Sequence, residues 1–250
     1  MKSIITFMII CICIFHGYGQ ENKFEYIPKV KKRVEVVNIL GNLSINGING
    51  NSIEIITKYN NSVPERAKGL EKMVAVEDNT GIGINIVEEN GTVYITGIDK
   101  KIFDCEINIP YGIMVHADYD NPFIIMSNGK ISVSSFKDNI EIKTINSNIK
   151  LINCTGPFAI SSISGDIDLM TNSLFHEYTN SFATFSGRVD LSIPESVNLT
   201  FEVETTSGDI YNNLNLKLVQ KAKVKTYTMN GGGQSFHIKT ISGNIYLRRF

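Results

Sequence analysis

The chain has 250 residues, 42% of them hydrophobic, enough apolar material for one or two buried cores. Its 24 Lys and Arg against 25 Asp and Glu leave a formal net charge of −1, so no basic surplus exists to release counterions from a phosphate backbone, and nucleic acid is excluded as a partner. Four cysteines without CxxC or paired Cys and His spacing argue against a zinc site, and no cofactor or metal is expected.

Lys2, the apolar run "IITFMIICICIFH" and the small residues of "GYG" have the form of a secretory signal peptide over residues 1–19, with cleavage expected before Gln20. The run from Ile4 to Phe15 is too short to span a bilayer, which needs about 20 apolar residues. No stable membrane span is therefore expected after signal cleavage, and the protein is expected to be exported to the periplasm, the cell surface or the medium. Cys11 and Cys13 would leave with the signal. Cys105 and Cys154 would remain, either as one disulfide, which an oxidising compartment permits, or as two buried thiols.

After Lys29 most segments alternate apolar and polar residues, as in "RVEVVNI", "LSINGI", "SIEIITKY", "TVYITGI" and "CEINIP", separated by Gly and Asn, which predicts strands and turns. The exception is "VPERAKGLEKMVAVE", where Pro64 suits a first helical turn and Ala67, Leu70, Glu71 and Met73 suit a short helix near 64–74. Residues 20–100 thus read as a less regular β-rich part. Next comes "VHADYD", whose alternation places His116, Asp118 and Asp120 on one face of a strand, as a candidate metal or acid–base cluster or as the solvated face opposite Val115, Ala117 and Tyr119.

Residues 101–250 are repetitive. A turn of the type SGD, SGN, SGR or NSN is followed by an inward aliphatic residue, at Ile131, Ile140, Ile149, Ile167, Val189, Ile210 and Ile245, in steps near nine or twice nine with longer excursions late in the chain. Such recurrence predicts stacked rungs whose aliphatic residues form one continuous column, the alternative being a β-sandwich. Gly129, Gly165, Gly187, Gly208 and Gly243 are expected to take positive φ at the bends, with Asn139 and Asn148 as substitutes. Asp166, Asp209 and Asn244 line up along such a stack as a calcium-binding column, interrupted by Arg188 and Lys130, or as plain turn residues. The stretch "NGGGQ" reads as a turn between strands, lacking the Lys and Ser or Thr of a phosphate loop. No GxSxG or HExxH occurs, and His176 and His237 are isolated.

The stretches "NILGNLSINGINGNSIEIITK", "ERAKGLEKMVAVE", "CEINIPYGIMVHA", the serial SGD turns and the terminal "NGGGQSFHIKTISGNIYL" together resemble the bacterial putative adhesin domain family, a domain of unknown function related to toast-rack and head GIN domains. The resemblance covers most of the chain after the signal. It implies an all-β fold, a right-handed parallel β-solenoid with a less regular N-terminal part, in an exported bacterial envelope protein.

The expected function is non-catalytic: a rigid solenoid face binding a protein or glycan surface, or acting as a scaffold. Tyr119, Phe123, Phe136 and Tyr178 contribute to that face or cap the core. Two rival functions are a carbohydrate-active enzyme, a polysaccharide lyase or hydrolase working through His116, Asp118 and Asp120, and a periplasmic envelope-stress component. The chain ends in "YLRRF" without an apolar tail or sorting motif, which weighs against a surface-anchored adhesin. Open solenoid ends predict capping or self-association, with the charges of "LRRF" protecting one edge.

Overall fold

A computed structural model describes residues 21–250 except 61, 63, 71–72, 74–75, 99–100, 120–128, 176–177 and 222–223. The leader expected over 1–19 and Asp120, Phe123 and His176 lie outside the described residues. The N-terminal strands are β1 (Asn22–Tyr26), β2 (Arg33–Val37), β3 (Leu43–Ile48), β4 (Ile53–Thr57), β5 (Ile84–Glu89), β6 (Thr92–Gly97) and β7 (Cys105–Pro110). The middle of the chain supplies β8 (Met114–Tyr119), β9 (Lys130–Ser134), β10 (Ile140–Thr144), β11 (Asn148–Ile152), β12 (Phe158–Ser162), β13 (Ile167–Met170), β14 (Asn180–Thr184) and β15 (Val189–Ile193). The last six are β16 (Leu199–Thr205), β17 (Ile210–Asn212), β18 (Lys217–Lys221), β19 (Lys225–Met229), β20 (Gln234–Thr240) and β21 (Ile245–Arg249).

The fold is all-β, and the short helix expected near 64–74 is corrected to a single 3₁₀ turn at Glu65–Ala67. The sequence there offers no face to bury: no residue of the turn is buried, Leu70 and Met73 are 73% and 99% exposed, and Gly69 takes φ +82°. A helix that short is not stable in water without packing.

From β8 to β15 the chain alternates between two sheets, and each strand pairs in parallel with the strand two positions on. One strand takes about nine residues and one two-strand rung about eighteen, which explains both steps in the repeat. Ile131, Ile149, Ile167 and Val189 stand in register in the ten-stranded sheet, whereas Ile140 belongs to the eleven-stranded sheet, between Val115 and Phe158. These residues are 0 to 2% exposed, and the two inner faces meet in one continuous core. Burying each such side chain contributes about 1.5–3 kcal/mol.

Both ends depart from chain order. β20 lies between β14 and β16, and β21 between β15 and β17, so the last rung in sequence is the penultimate rung in space. At the other end β2 sits between β6 and β8, and β3 between β7 and β9. The expected parts 20–100 and 101–250 therefore interleave in the ten-stranded sheet, where β7 lies between β4 and β3, whereas in the eleven-stranded sheet β2, β6 and β5 stay together at one end. Antiparallel strands flank these rungs: β5 on β6, β4 and β1 beyond β7, and β19 and β18 beyond β16. Of the terminal "LRRF", Leu247 is paired on both sides, by Leu191 and Asn212, whereas Arg248 and Arg249 pair only with Ser192 and Ile193 of β15.

Candidate functional site

The turn column comes first, because the repeated SGD phrase held the candidate cation ligands. Gly165, Gly187, Gly208 and Gly243 do not take positive φ, contrary to expectation. They are glycines because the rungs approach so closely: a Cβ on Gly187 would lie 2.1 Å from Gly165 O, and one on Gly243 1.8 Å from Gly187 O. A hydroxyl three residues earlier completes each turn. Thr240 Oγ1 accepts the Gly243 N–H at 3.0 Å and donates to Gly187 O at 3.1 Å; Thr184 does the same with Gly187 and Gly165, and Thr205 with Gly208 and Gly243.

The residue after the glycine ties each rung to the next. Asn148 Oδ1 accepts the Asp166 N–H, Asp166 Oδ1 the Arg188 N–H, and Asn244 Oδ1 the Asp209 N–H, each at 2.9 Å. Asn42 serves Lys130 at 3.0 Å, so the same device operates in the N-terminal rungs. The Arg188 guanidinium contacts Asp166 and bonds Asp168 at 3.0 Å, placing a protein cation where a calcium ion would have to sit. Burial raises the Asp168 carboxyl above its ordinary range, opposed by Arg188 and reinforced by Asp190 and Asp166. Among the described residues no group of three or more His, Cys, Asp or Glu is placed to hold a metal ion.

Cys105 and Cys154 are buried free thiols, not a disulfide. Burial pushes Cys105 up to about 12 and Cys154 to about 11, leaving both protonated and unreactive at neutral pH. Phe136 is fully buried and belongs to the core, whereas Tyr178 is 54% exposed.

The outward face of the eleven-stranded sheet gathers the remaining chemistry. His116 and Asp118 alternate with the buried Val115 and Ala117 on β8 and so face outward. Register, rather than the local spacing, supplies the neighbours of His116: Glu35 on β2 and Glu141 on β10 stand opposite it on either side. Arg33 Nη2 contacts His116 Nδ1, Arg33 Nε lies 3.0 Å from Glu35 Oε1 but out of line for a hydrogen bond, and Lys143 Nζ lies 3.0 Å from Glu141 Oε1. Glu141 Oε2 is 3.6 Å from His116 Nδ1 and 3.7 Å from Arg33 Nη2. The hydrogen bond from Lys143, helped by the charges of Lys143 and Arg33 and opposed by desolvation, holds the Glu141 carboxyl below its ordinary range. Such a carboxylate is a poor general acid.

Across the same face, β12 and β14 present only Ala159, Ser161, Ser181 and Ala183 outward. On the far side His237 pairs with Glu202 at 2.8 Å and Lys239 with Glu204 at 3.2 Å. A floor of small residues thus lies between two banks of His, Glu and Lys, one on β8 and β10 and the other on β20 and β16. Three strand spacings separate those banks, about 14 Å. An open cleft of about 270 Å³ runs from Arg33, His116 and Glu141 across Ala159 to Tyr178 and Thr179.

Sequence reading found His116 and Tyr178 but not Arg33, Glu141 or Ala159. Alternation shows that these residues face outward; it carries no information on which distant strand lies alongside.

The family model Toastrack DUF4097 matches residues 22–248. Among solved structures, the chain is similar to a putative cell adhesion protein from Clostridium sporogenes, at 14% identity over 92% of this chain and 100% of that one, with a TM-score of 0.46. It is also similar to putative adhesins from Bacteroides fragilis, at 11% identity over 93% and 98% of the chains and a TM-score of 0.38, and from Parabacteroides merdae, at 11% over 92% and 97% and 0.27. No curated protein matches the chain.

Proposed function

The chain belongs to the Toastrack DUF4097 family, and from that premise we propose that it is an exported, non-catalytic cell-envelope protein of the adhesin type whose eleven-stranded sheet binds a protein or glycan surface. The observation that carries this reading is the floor of Ala159, Ser161, Ser181 and Ala183 between its two charged banks. A flat floor with polar rims lets another surface approach the sheet closely and spreads its affinity over many weak contacts, as repeat proteins do. The pairing of Glu141 with Lys143 and Arg33 supports a binding rather than a catalytic role for that bank. Export rests on the signal peptide read in residues 1–19. The coil itself is assigned the right-handed sense that parallel crossover connections take in nearly all cases.

The test is retention of the purified chain on isolated bacterial envelope and on extracellular matrix, alongside fractionation of the native cell. A double variant that fills the floor, Ser161→Arg with Ala183→Arg, is expected to lose at least tenfold in retention, while Lys150→Glu on the other sheet changes it less than twofold. Equal retention of the floor variant, or recovery of the native protein in the cytoplasm, overturns the reading.

A further inference from the structure

We infer that the cleft between Arg33, His116, Glu141 and Tyr178 is a subsite for one uncharged saccharide unit. The inference deepens the binding reading above and rests on it. The first observation is an orphan. Arg33 is a donor only, so His116 Nδ1, which it contacts, accepts, and the ring proton stands on Nε2. His116 Nε2 is buried and has no hydrogen-bond partner, a condition that is costly for a polar group when nothing fills it. His116 and Glu141 both line the cleft, so its wall carries an unused donor and carboxylate acceptors.

A donor and an acceptor side by side match hydroxyl groups, each of which both donates and accepts. Charge points the same way. Arg33 and Lys143 face three carboxylates, Glu35, Glu141 and Asp118, so no unmatched positive charge remains in this bank to neutralise an anionic ligand. Opposite it, the exposed ring of Tyr178 offers an apolar face on which the C–H face of a sugar ring can stack. Ala159 keeps the space between them open, its outward neighbours along the strand rows being Glu141 and Ser181. The volume, about 270 Å³, lies just below the range of sites for drug-sized ligands and suits a single sugar residue of a longer chain.

The experiment titrates the full chain with methyl glycosides of glucose, galactose, mannose and N-acetylglucosamine, with glucuronic and galacturonic acid as anionic controls, by calorimetry and by long-range ¹⁵N–¹H NMR of His116. At least one neutral glycoside is expected to bind and to shift the His116 Nε2 resonance. Ala159→Leu points outward and fills the cleft without touching the core, so it keeps the thermal transition of the parent and is expected to lose binding at least tenfold; Tyr178→Ala is expected to lose it severalfold. Binding unaltered in Ala159→Leu, tighter binding of the uronic acids, or no binding by any probe each overturns the assignment. Retention on envelope without saccharide binding leaves the wider binding reading standing, whereas failure of both removes both.

Discussion

At Gly187 the hydrogen atom stands where any other side chain would meet the carbonyl of Gly165, and the same close approach recurs at Gly165, Gly208 and Gly243. The repeated phrase is therefore a contact motif rather than a bend motif, and its third member is the hydroxyl at Ser162, Thr184, Thr205 or Thr240. Gly187→Ala must push two rungs apart and is expected to cost about 1–3 kcal/mol in urea unfolding, the usual range for overpacking. Thr240→Val keeps the shape but strands the Gly243 N–H and Gly187 O, and about 1–3 kcal/mol is expected for it too. Loss of less than 0.5 kcal/mol in both variants would sink the ladder. The glycines were visible in the sequence, but their reason was not, because sequence shows that a residue is small and not what lies beyond it.

Elements at the two ends do not follow the serial stacking that the repeat suggests. β21 is the last strand of the chain and is paired on both sides, by β15 and β17. β17, three residues long, is the edge strand of the ten-stranded sheet, and β18 the edge of the eleven-stranded one. Hydrogen exchange checks this directly: amides of β20 and β21 are expected to exchange as slowly as those of β13 and β14, and amides of β17 and β18 at least a hundredfold faster. A fast-exchanging β21 would contradict the insertion. The long steps before Val189, Ile210 and Ile245 hinted at irregular rungs, and the 35-residue gap is now explained: it contains the β18–β19 hairpin, and the chain crosses the end of β16 through the "NGGGQ" turn to reach β20.

The whole molecule is consequently less modular than a simple stack, in which deleting the last rung removes only one interface. Truncation after Asn230 takes out β20 and β21 and leaves β16 and β17 without their parallel partners while exposing the inner rungs β14 and β15. That variant is expected to lose the cooperative thermal transition or to be recovered only as aggregate. A truncated chain that melts within about 5 °C of the parent would show that the inserted rung is dispensable. The same assembly makes the binding face, since Arg33 from near the start, Glu141 from the middle and Tyr178 from later in the chain share one cleft only because β2 lies against β8 and β8 against β10.

By itself the sequence determined the all-β class, the rung length and the inward aliphatic files, because alternation and spacing are local consequences of the pleat and need no knowledge of distant strands. It also carried the resemblance to the family whose model matches nearly the whole described chain. Tertiary structure alone decided that Ile245 stands between Val189 and Ile210, that Arg188 bonds Asp168 and contacts Asp166, and that His116 answers to Arg33 and Glu141 rather than to its neighbours along the strand. Strand order is chosen by which edges pair across long separations in the chain, and every rung of a repeat offers nearly the same inner face, so alternation cannot rank the possible partners.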